Sequence, residues 1–413
     1  MQRNYWSAVI CGAVILTIGI GARQSFGIFQ KPIAADLQVG RELWSFCNAL
    51  ALLLMGFLSP FAGNIAERFG SARTIAAGGV LYVLGILVIG LAHSAVPLIL
   101  GNALTGIGMA AAGFGPILGV VGRAAPPIKR SLALGIATAG GSFGQFAIVP
   151  FASISLQLLG DWHSTMLLLA AVSTVMIPLA LGLRETRSSL AAAAGPRKQS
   201  AGEALREARD TRSFWLLTIG FFVCGFHVAF VGLHLPSYVA DKGVSLTLFG
   251  DYISPLALGG WAIGLVGLFN IFGAVIWGWS GGRWARKDML ALLYFLRSGV
   301  FILFLVLPLS AASVLVFAAL LGFLWLGTIP LTSGLVGFIF GPAHMAMLYG
   351  IVFFGHQLGS FLGSWGGGKL FDLTGSYNAM WWISVALGLI AGTLHLLIRE
   401  RPVPRLAAAA AAA

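Results

Sequence analysis

RETRSSLAAAAGPRKQSAGEALREARDTR, residues 184–212, is a polar stretch in the middle of an otherwise overwhelmingly apolar chain. About six apolar runs long enough to cross ~30 Å of hydrocarbon precede it, and about six follow. The chain therefore reads as two membrane halves joined by one soluble linker. Ser200 and Glu203 stand at capping-box spacing. Glu203/Arg206 and Arg206/Asp210 stand at the spacing of helical ion pairs. Together they predict a short surface helix that leads into Phe214-Trp215-Leu216-Leu217.

Composition agrees. Of 413 residues, 58% are hydrophobic and 9% charged, where a soluble domain carries ~25% charged residues. The mean hydropathy is +0.92. The apolar runs lack the short length and period-two alternation of membrane strands, and the 56 glycines suit closely packed transmembrane helices. The expected fold is an all-α membrane protein of twelve transmembrane helices. The predicted spans are 7–29, 43–62, 74–92, 96–121, 131–155 and 164–183, then 213–236, 254–280, 288–309, 312–338, 345–368 and 378–398. The expected domains are an N-terminal six-helix bundle over 1–183, a linker over 184–212, a C-terminal six-helix bundle over 213–400 and a tail over 401–413. No room remains for a soluble catalytic domain.

A net charge of +12 would point to nucleic acid in a soluble protein. Here the charge follows topology. Arg68, Arg73, Arg123, Lys129, Arg130, Arg283, Arg286, Lys287 and the linker cations fall on one face, together with Arg3, Arg399, Arg401 and Arg405. Lys31, Arg41, Lys242 and Lys369 fall on the other. The positive-inside rule puts the richer face, and both termini, in the cytoplasm. That is the expectation for a bacterial inner-membrane protein with no nucleic-acid partner. Trp6, Trp162 and Trp381-Trp382 are expected as interfacial anchors. The sequence contains no phosphate-cradling loop ending in Lys-Ser/Thr, no His-Glu-x-x-His, no Cys-x-x-Cys and no Gly-x-Ser-x-Gly. ATP, metal and serine-nucleophile chemistry therefore have no foothold, and neither an enzyme nor a cofactor is expected.

The halves repeat. Gly135-Ile136, Gly140, Gly144 and Phe146 recur 215 residues later as Gly350-Ile351, Gly355, Gly359 and Phe361. Gly63…Arg68 recurs at the same offset as Gly278…Arg283, whereas Gly27…Asp36 recurs as Gly232…Asp241 at an offset of 205. An insertion of ten residues after Asp241 reconciles the two. Parallel six-helix repeats predict a pseudo-two-fold axis along the membrane normal, with a substrate site between the halves near mid-membrane.

Gly63-Asn64-Ile65-Ala66-Glu67-Arg68-Phe69-Gly70-Ser71-Ala72-Arg73 resembles the cytoplasmic loop signature of the major facilitator superfamily. Its second-half copy carries Gly282 where Glu67 stands. Lys129-Arg130-Ser131-Leu132-Ala133 running to Gly140-Gly141-Ser142-Phe143-Gly144 is similar to the fifth-helix motif of the monocarboxylate transporter family. Ser25-Phe26-Gly27-Ile28-Phe29 resembles the end of that family's first helix. Thr211-Arg212-Ser213-Phe214-Trp215 resembles the entry to the seventh helix in the oxalate/formate antiporter-like branch. The family's acidic-Gly-aromatic motif at the start of helix one is missing, and Phe269-Asn270-Ile271-Phe272-Gly273-Ala274 stands where animal members carry an Asp…Arg pair. The resemblance implies a secondary transporter whose conformational gating involves Gly63, Glu67, Arg68, Gly70 and Arg73.

The polar residues inside the spans carry the substrate argument. The helix interiors hold two cations, Arg23 and Arg297, and no Asp or Glu. Intramembrane charge is costly and usually functional, and two cations without carboxylates imply an anion from solution. Arginine suits a carboxylate because its planar fork donates two parallel hydrogen bonds. His227 and His356 are the titratable candidates, and His234 shares a helix face with His227. His356 breaks the repeat at the position of Gly141. Gln145, Asn270 and Gln357 are candidates to line the cavity, with Asn48 and Asn102 beside them, and Tyr238 to cap it. The expected function is transport of a small organic anion such as a monocarboxylate, by proton symport or anion exchange, in a monomer surrounded by lipid. The alternative is an exporter of neutral or cationic compounds. A polytopic enzyme or a receptor would need features that are not in the sequence.

Sidedness has a direct test. A cysteine at Ser188 is expected to react with an impermeant thiol reagent only from the cytoplasmic side, and labelling in intact cells would reverse the orientation.

Overall fold

The computed structural model describes residues 5–126, 129–184, 199–248, 250–341 and 344–406. Most of the linker, 185–198, and the end of the tail, 407–413, lie outside them, as does the side chain of Glu67. Eleven helices among the described residues are long and apolar enough to cross a membrane. The first six spans are Tyr5–Asp36, Arg41–Ala66, Ser71–Gly90, Ala95–Ala124, Leu132–Leu159 and Trp162–Leu183. Arg212–Asp241, Pro255–Ser280, Arg286–Val306 and Ala311–Phe340 are the seventh to tenth, and Asn378–Leu396 is the twelfth. Between the last two runs Met345–Thr374, a helix of 30 residues. At ~1.5 Å per residue it reaches ~45 Å, more than the ~30 Å hydrocarbon core. It is the eleventh span in sequence, less apolar because it carries His356, Gln357, Ser360 and Ser364.

Most helices outrun the predicted spans, because hydropathy marks only the hydrocarbon-facing part and the backbone stays helical to its caps. Four spans predicted as continuous are interrupted, the first at Ser25, the sixth at Thr174-Val175, and the fourth and tenth more openly. The fourth is Ala95–Ala112 followed by Phe114–Ala124, and the tenth is Ala311–Phe323 followed by Thr328–Phe340. The breaks, at Gly113 and at Leu324–Gly327, stand at nearly equivalent places in the two halves, and each is followed by a proline, Pro116 and Pro330. The fifth-span helix Arg130–Leu159 and the eleventh, Met345–Thr374, obey the offset of 215 at both ends. The residues that shift the offset after Asp241 form a small antiparallel hairpin, Leu246–Leu248 with Asp251–Ile253, in the register Leu246↔Ile253 and Leu248↔Asp251. It lies on the face away from the linker, here called the distal face.

Each set of six spans has its own core. One buried cluster runs from Ala8 to Leu183 and takes in Leu233; the other runs from Ala208 to Val403 and takes in Val149. Inside each bundle the inner helices touch through glycine. A Cβ on Gly140 or Gly144 would overlap the first-span backbone at Ala13 and Thr17. One on Gly359 or Gly363 would overlap the seventh span at Phe222 and Phe226. The first span thus lies on the fifth as the seventh lies on the eleventh, backbone against backbone. Thr17 Oγ1 adds a 2.9 Å bond to the Gly140 carbonyl.

Turn chemistry is visible at Gly70, which ends helix Arg41–Phe69 with φ 96° and starts Ser71–Gly90 with no spacer. Only glycine adopts that conformation cheaply. The linker ends in the helix Ala201–Asp210, closed by the Ser200/Glu203 capping box. The Ser200 backbone and side-chain donors hold the Glu203 carboxyl below its usual range. Among the described residues Arg206 comes within ion-pair distance of neither Glu203 nor Asp210, although its charge also favours the Glu203 carboxylate. Glu207 reaches Arg405 instead at 3.2 Å, and the Gln199 carbonyl accepts from His344 at 2.7 Å, so the linker helix rests on the second bundle. The tryptophan expectation also needs correction. Trp162 and Trp381 are buried, Trp162 because its indole N–H reaches Asp36 at 3.1 Å, whereas Trp382 is exposed.

Leucine at Gly140 or at Gly359 is expected to lower the yield of monodisperse protein sharply, measured by fluorescence-detected size exclusion. Normal yield with both would mean these helix pairs do not depend on backbone contact.

Candidate functional site

A cavity of about 50 Å³ lies mid-membrane where the first, second, seventh and eleventh spans converge. Its walls combine apolar residues such as Phe26, Leu52 and Val228 with the polar Arg23, Gln24, Asn48, His356, Gln357 and Ser360. Arg23 sits near the end of helix Tyr5–Gln24, two residues before the irregularity at Ser25, whose hydroxyl donates to the Gly21 carbonyl at 3.0 Å. The bend turns the first span around the cavity. Arg23 is half-buried, and among the described residues its guanidinium has neither a hydrogen-bond nor an ion-pair partner. No carboxylate lines the cavity.

The opposite wall comes from the eleventh span. Gln357 donates from Nε2 to the Leu52 carbonyl at 3.0 Å, which joins the two halves. Its Oε1 then faces His356 Nδ1 at 2.9 Å. A carbonyl accepts only, so Gln357 is oriented and His356 Nδ1 donates to it. The imidazole packs on Phe221 and Phe353, with ring centroids 4.7 and 5.6 Å away. Ser360 returns its hydroxyl proton to the His356 carbonyl at 3.0 Å.

Of the eight candidate substrate residues, Arg23, His356 and Gln357 meet at this cavity. Gln145 and Asn270 brace the seam between the fifth and eighth spans. Gln145 donates to the Ile263 carbonyl at 3.1 Å, while Asn270 donates to Ser142 at 2.8 Å and accepts from Leu326 N at 2.9 Å. His227, Arg297 and Tyr238 belong to the interior of the second bundle. His227 Nε2 lies 2.8 Å from the Ser384 carbonyl, and Tyr238 packs on Trp381 and Phe304. Arg297 is fully buried and ties the break in the tenth span. Nη2 donates to the Leu324 and Trp325 carbonyls, and Nη1 lies 3.6 Å from Cys224 Sγ. Repeat symmetry explains that position. Offsets of 215 and 205 map Arg297 and Cys224 onto Tyr82 and Gly19, and Tyr82 donates its hydroxyl to the Gly19 carbonyl at 2.8 Å. In both halves this pair of positions joins neighbouring spans.

Gln24, Ser360 and Ser364 were missed by sequence reasoning. Their signal was weak but present: Gln24 adjoins Arg23, and Ser360 and Ser364 continue the face of His356 at steps of four.

The faces on either side of the cavity differ. On the distal face Asp241 binds Arg41 through both oxygens, at 2.5 and 2.7 Å, and Lys31 at 2.9 Å. Asp372 accepts from the backbone N–H groups of Arg41 and Glu42, at 2.9 and 2.7 Å, and Trp365 donates to Glu42 at 2.9 Å. Toward the linker face, Gly63, Gly135 and Gly350 have open space where a Cβ would point. Arg68 stacks on its neighbour Phe69 and Arg73 is exposed; among the described residues neither forms an ion pair. The distal face is latched by these contacts.

Twin helical bundles around a polar cavity, tied to each other on the distal face, are the architecture of a membrane carrier. The chain belongs to the Major Facilitator Superfamily, whose family model matches residues 9–325 and 250–412. It is 27% identical to the MFS-type transporter YcxA of Bacillus subtilis (strain 168), over 89% of each chain. It is 25% identical to monocarboxylate transporter 13 of Rattus norvegicus, over 94% of this chain and 87% of that one. Among solved structures, a bacterial homolog of the human lysosomal transporter Spinster superposes with TM-score 0.72 at 16% identity, over 96% of this chain and 98% of that one. A peptide transporter POT structure with sulfate gives 0.73 at 16% identity, over 96% and 95%. Both show the same fold. The protein is a multi-pass membrane transporter.

Replacing Arg297 by Gln is expected to destabilise the detergent-solubilised protein, because buried carbonyls at the tenth-span break lose their donors at ~1–3 kcal/mol. Apparent substrate affinity of the folded fraction should stay within about twofold, a change of ~0.4 kcal/mol. Thermal unfolding and uptake kinetics on one preparation check both.

Proposed function

We propose that this transporter carries a small organic anion, a monocarboxylate or related carboxylate, by alternating access, and that Arg23 takes the carboxylate. The observation that carries the reading is a cavity whose one full charge is a guanidinium without a partner among the described residues. Holding an uncompensated cation in the bilayer costs several kcal/mol. An incoming carboxylate offsets that cost and is met by two parallel hydrogen bonds. His356, Ser360 and Asn48 supply polar contacts for the rest of a small ligand, and Phe26 and Leu52 supply its apolar side. The named relatives include monocarboxylate transporters, which supports the same class.

The Lys/Arg asymmetry supports a cytoplasmic linker face with both termini on that side, and the reading is of a bacterial inner membrane. The latched face then looks outward, and this conformation is the inward-facing one. The bundles over 1–183 and 213–400 are the rocking bodies, with 184–212 as their tether and Gly63, Glu67, Arg68, Gly70 and Arg73 as the motif that closes the inner face. The protein acts as a monomer, coupled to protons or to an exchanged anion.

Uptake of labelled small carboxylates into proteoliposomes tests the assignment. Arg23→Gln is expected to abolish uptake while inserting normally. Arg23→Lys keeps the charge but loses the fork, at roughly 1.5–3 kcal/mol for a lost charge-assisted bond, or about 10- to 100-fold in apparent affinity. Near-normal affinity in Arg23→Gln would assign the arginine to anchoring and sink the reading.

A further inference from the structure

The second buried polar cluster lies between the cavity and the distal face, and it is centred on His234. Its imidazole has no exposed surface. Nε2 lies 2.8 Å from the Ser364 carbonyl, which only accepts, so Nε2 carries the proton. Nδ1 is then the bare acceptor, and it faces Gln30 Nε2 and the Tyr377 hydroxyl, each at 3.2 Å.

Following the donors outward gives one consistent assignment. Gln30 Nε2 donates its two protons to Ser45 Oγ, at 2.9 Å, and to His234; Ser45 donates onward to the Arg41 carbonyl at 2.7 Å. Tyr377 donates to Gln30 Oε1 at 3.1 Å and accepts from Arg41 Nη1 at 3.1 Å. Every donor has an acceptor provided that His234 is neutral. The network joins the first and second spans, which supply Gln30, Arg41 and Ser45, to the second half, which supplies His234, Ser364 and Tyr377. The distal face therefore cannot open without breaking it.

We propose that His234 is a proton-binding site and that protonation of its Nδ1 releases this network and opens the distal face. A proton on Nδ1 turns the acceptor into a donor that meets two groups already committed as donors. Flipping the Gln30 amide would accommodate the new N–H but would remove the acceptor of Tyr377. The charged surroundings oppose the proton as well. The second span presents Arg41 and the first Lys31, and the one carboxylate they share, Asp241, is bound by both. The eleventh span contributes a carbonyl and Gly367, with Asp372 turned to the Arg41 and Glu42 backbone and Lys369 paired with Glu42 at 3.8 Å. Tyr377 and Tyr238 complete the surroundings as neutral hydroxyls. No carboxylate among the described residues touches the ring, so nothing in the closed arrangement welcomes a charged His234. Proton uptake from the distal side thus favours the open distal face, and proton loss favours its closure.

The proposal rests on alternating access but not on Arg23, and its test needs no substrate. Nitroxides are placed at Ala35→Cys and Lys242→Cys, at the distal ends of the first and seventh spans, with Cys11, Cys47 and Cys224 changed to Ser. Their distance distribution is measured in nanodiscs between about pH 8 and about pH 5, the range of histidine titration. The parent is expected to shift to longer distances on acidification, His234→Gln to stay short at both pH values, and His234→Arg to be long at both. Gln30→Glu leaves the histidine intact and gives a charged ring an acceptor inside the closed network, so it is expected to keep the short distance at low pH. Acid opening that persists in His234→Gln or in Gln30→Glu, a closed His234→Arg, or a parent that does not respond to pH would overturn the proposal. Loss of pH response with Arg23-dependent uptake intact would remove this site alone, whereas pH-driven opening that survives in Arg23→Gln separates the gate from the anion site.

Discussion

A guanidinium held within a hydrocarbon layer has to find compensation, and this protein meets that constraint in two opposite ways. Arg297 is compensated from within. The tenth span breaks at Leu324–Gly327, and the carbonyls freed by the break are the ones Arg297 binds. Cation and irregular backbone satisfy each other, which is the condition for non-helical backbone at membrane depth. Arg23 has no such arrangement. The first span bends at Ser25, but Ser25 satisfies the local carbonyl with its own hydroxyl, and the guanidinium is left at the cavity wall. The same side chain is structural where the protein completes it and available to ligand where it does not.

The separation into two apolar cores gives this difference a mechanical setting. Within a bundle, glycines bring helix backbones into direct contact. Between bundles the spans also pack closely, with Gly27 against the Gly232 and Leu233 carbonyls, Phe46 on Phe361 and Phe57 on Phe354, and directional polar contacts cross the same seam: Gln357 to Leu52, Asn270 to Ser142, Gln145 to Ile263, and the latch around Asp241. Hydrogen bonds exchange for bonds to water at a small net cost, whereas re-exposing a packed apolar interface would cost far more per unit area. The polar contacts of the seam are thus the part that exchanges with water at small cost.

Much of the fold was legible in the sequence because membrane helices announce themselves by length and hydropathy, and because repeat offsets of 215 and 205 survive in a few glycines and charges. Even the hairpin after Asp241 was foreshadowed by the mismatch of the offsets. The cavity was legible only in part. Arg23 stood out because intramembrane charge is rare, and His356 because it replaces Gly141 of the other repeat. Arg297 stood out for the same reason as Arg23 but proved structural, since a sequence does not show that a helix break lies within reach. Ser360 and Ser364 were hidden because serines in helices commonly bond back to their own backbone. The distal network was hidden most completely: Gln30, Ser45, His234, Ser364 and Tyr377 come from five separate segments and share no spacing.

Repeat symmetry also separates what belongs to the scaffold from what belongs to the cycle. Asp36 and Asp241 are equivalent, at the distal ends of the first and seventh spans. Asp36 turns inward to its own bundle, accepting from Trp162 with His163 Nε2 3.3 Å away, and stitches the first span to the sixth. Asp241 reaches across the seam to Arg41 and Lys31. His234 likewise stands where the first half has Phe29, a fully buried apolar residue. One half kept a scaffold carboxylate and an apolar core at these positions, while the other placed there an ion-pair acceptor and an imidazole that both bond across the seam. Residues that only hold a bundle together have reason to be equivalent in both halves, as Tyr82 and Arg297 are in the spans they join. Residues that depart from the repeat and bridge the halves have no scaffold task that their counterparts share, so their chemistry answers to the motion between the bundles.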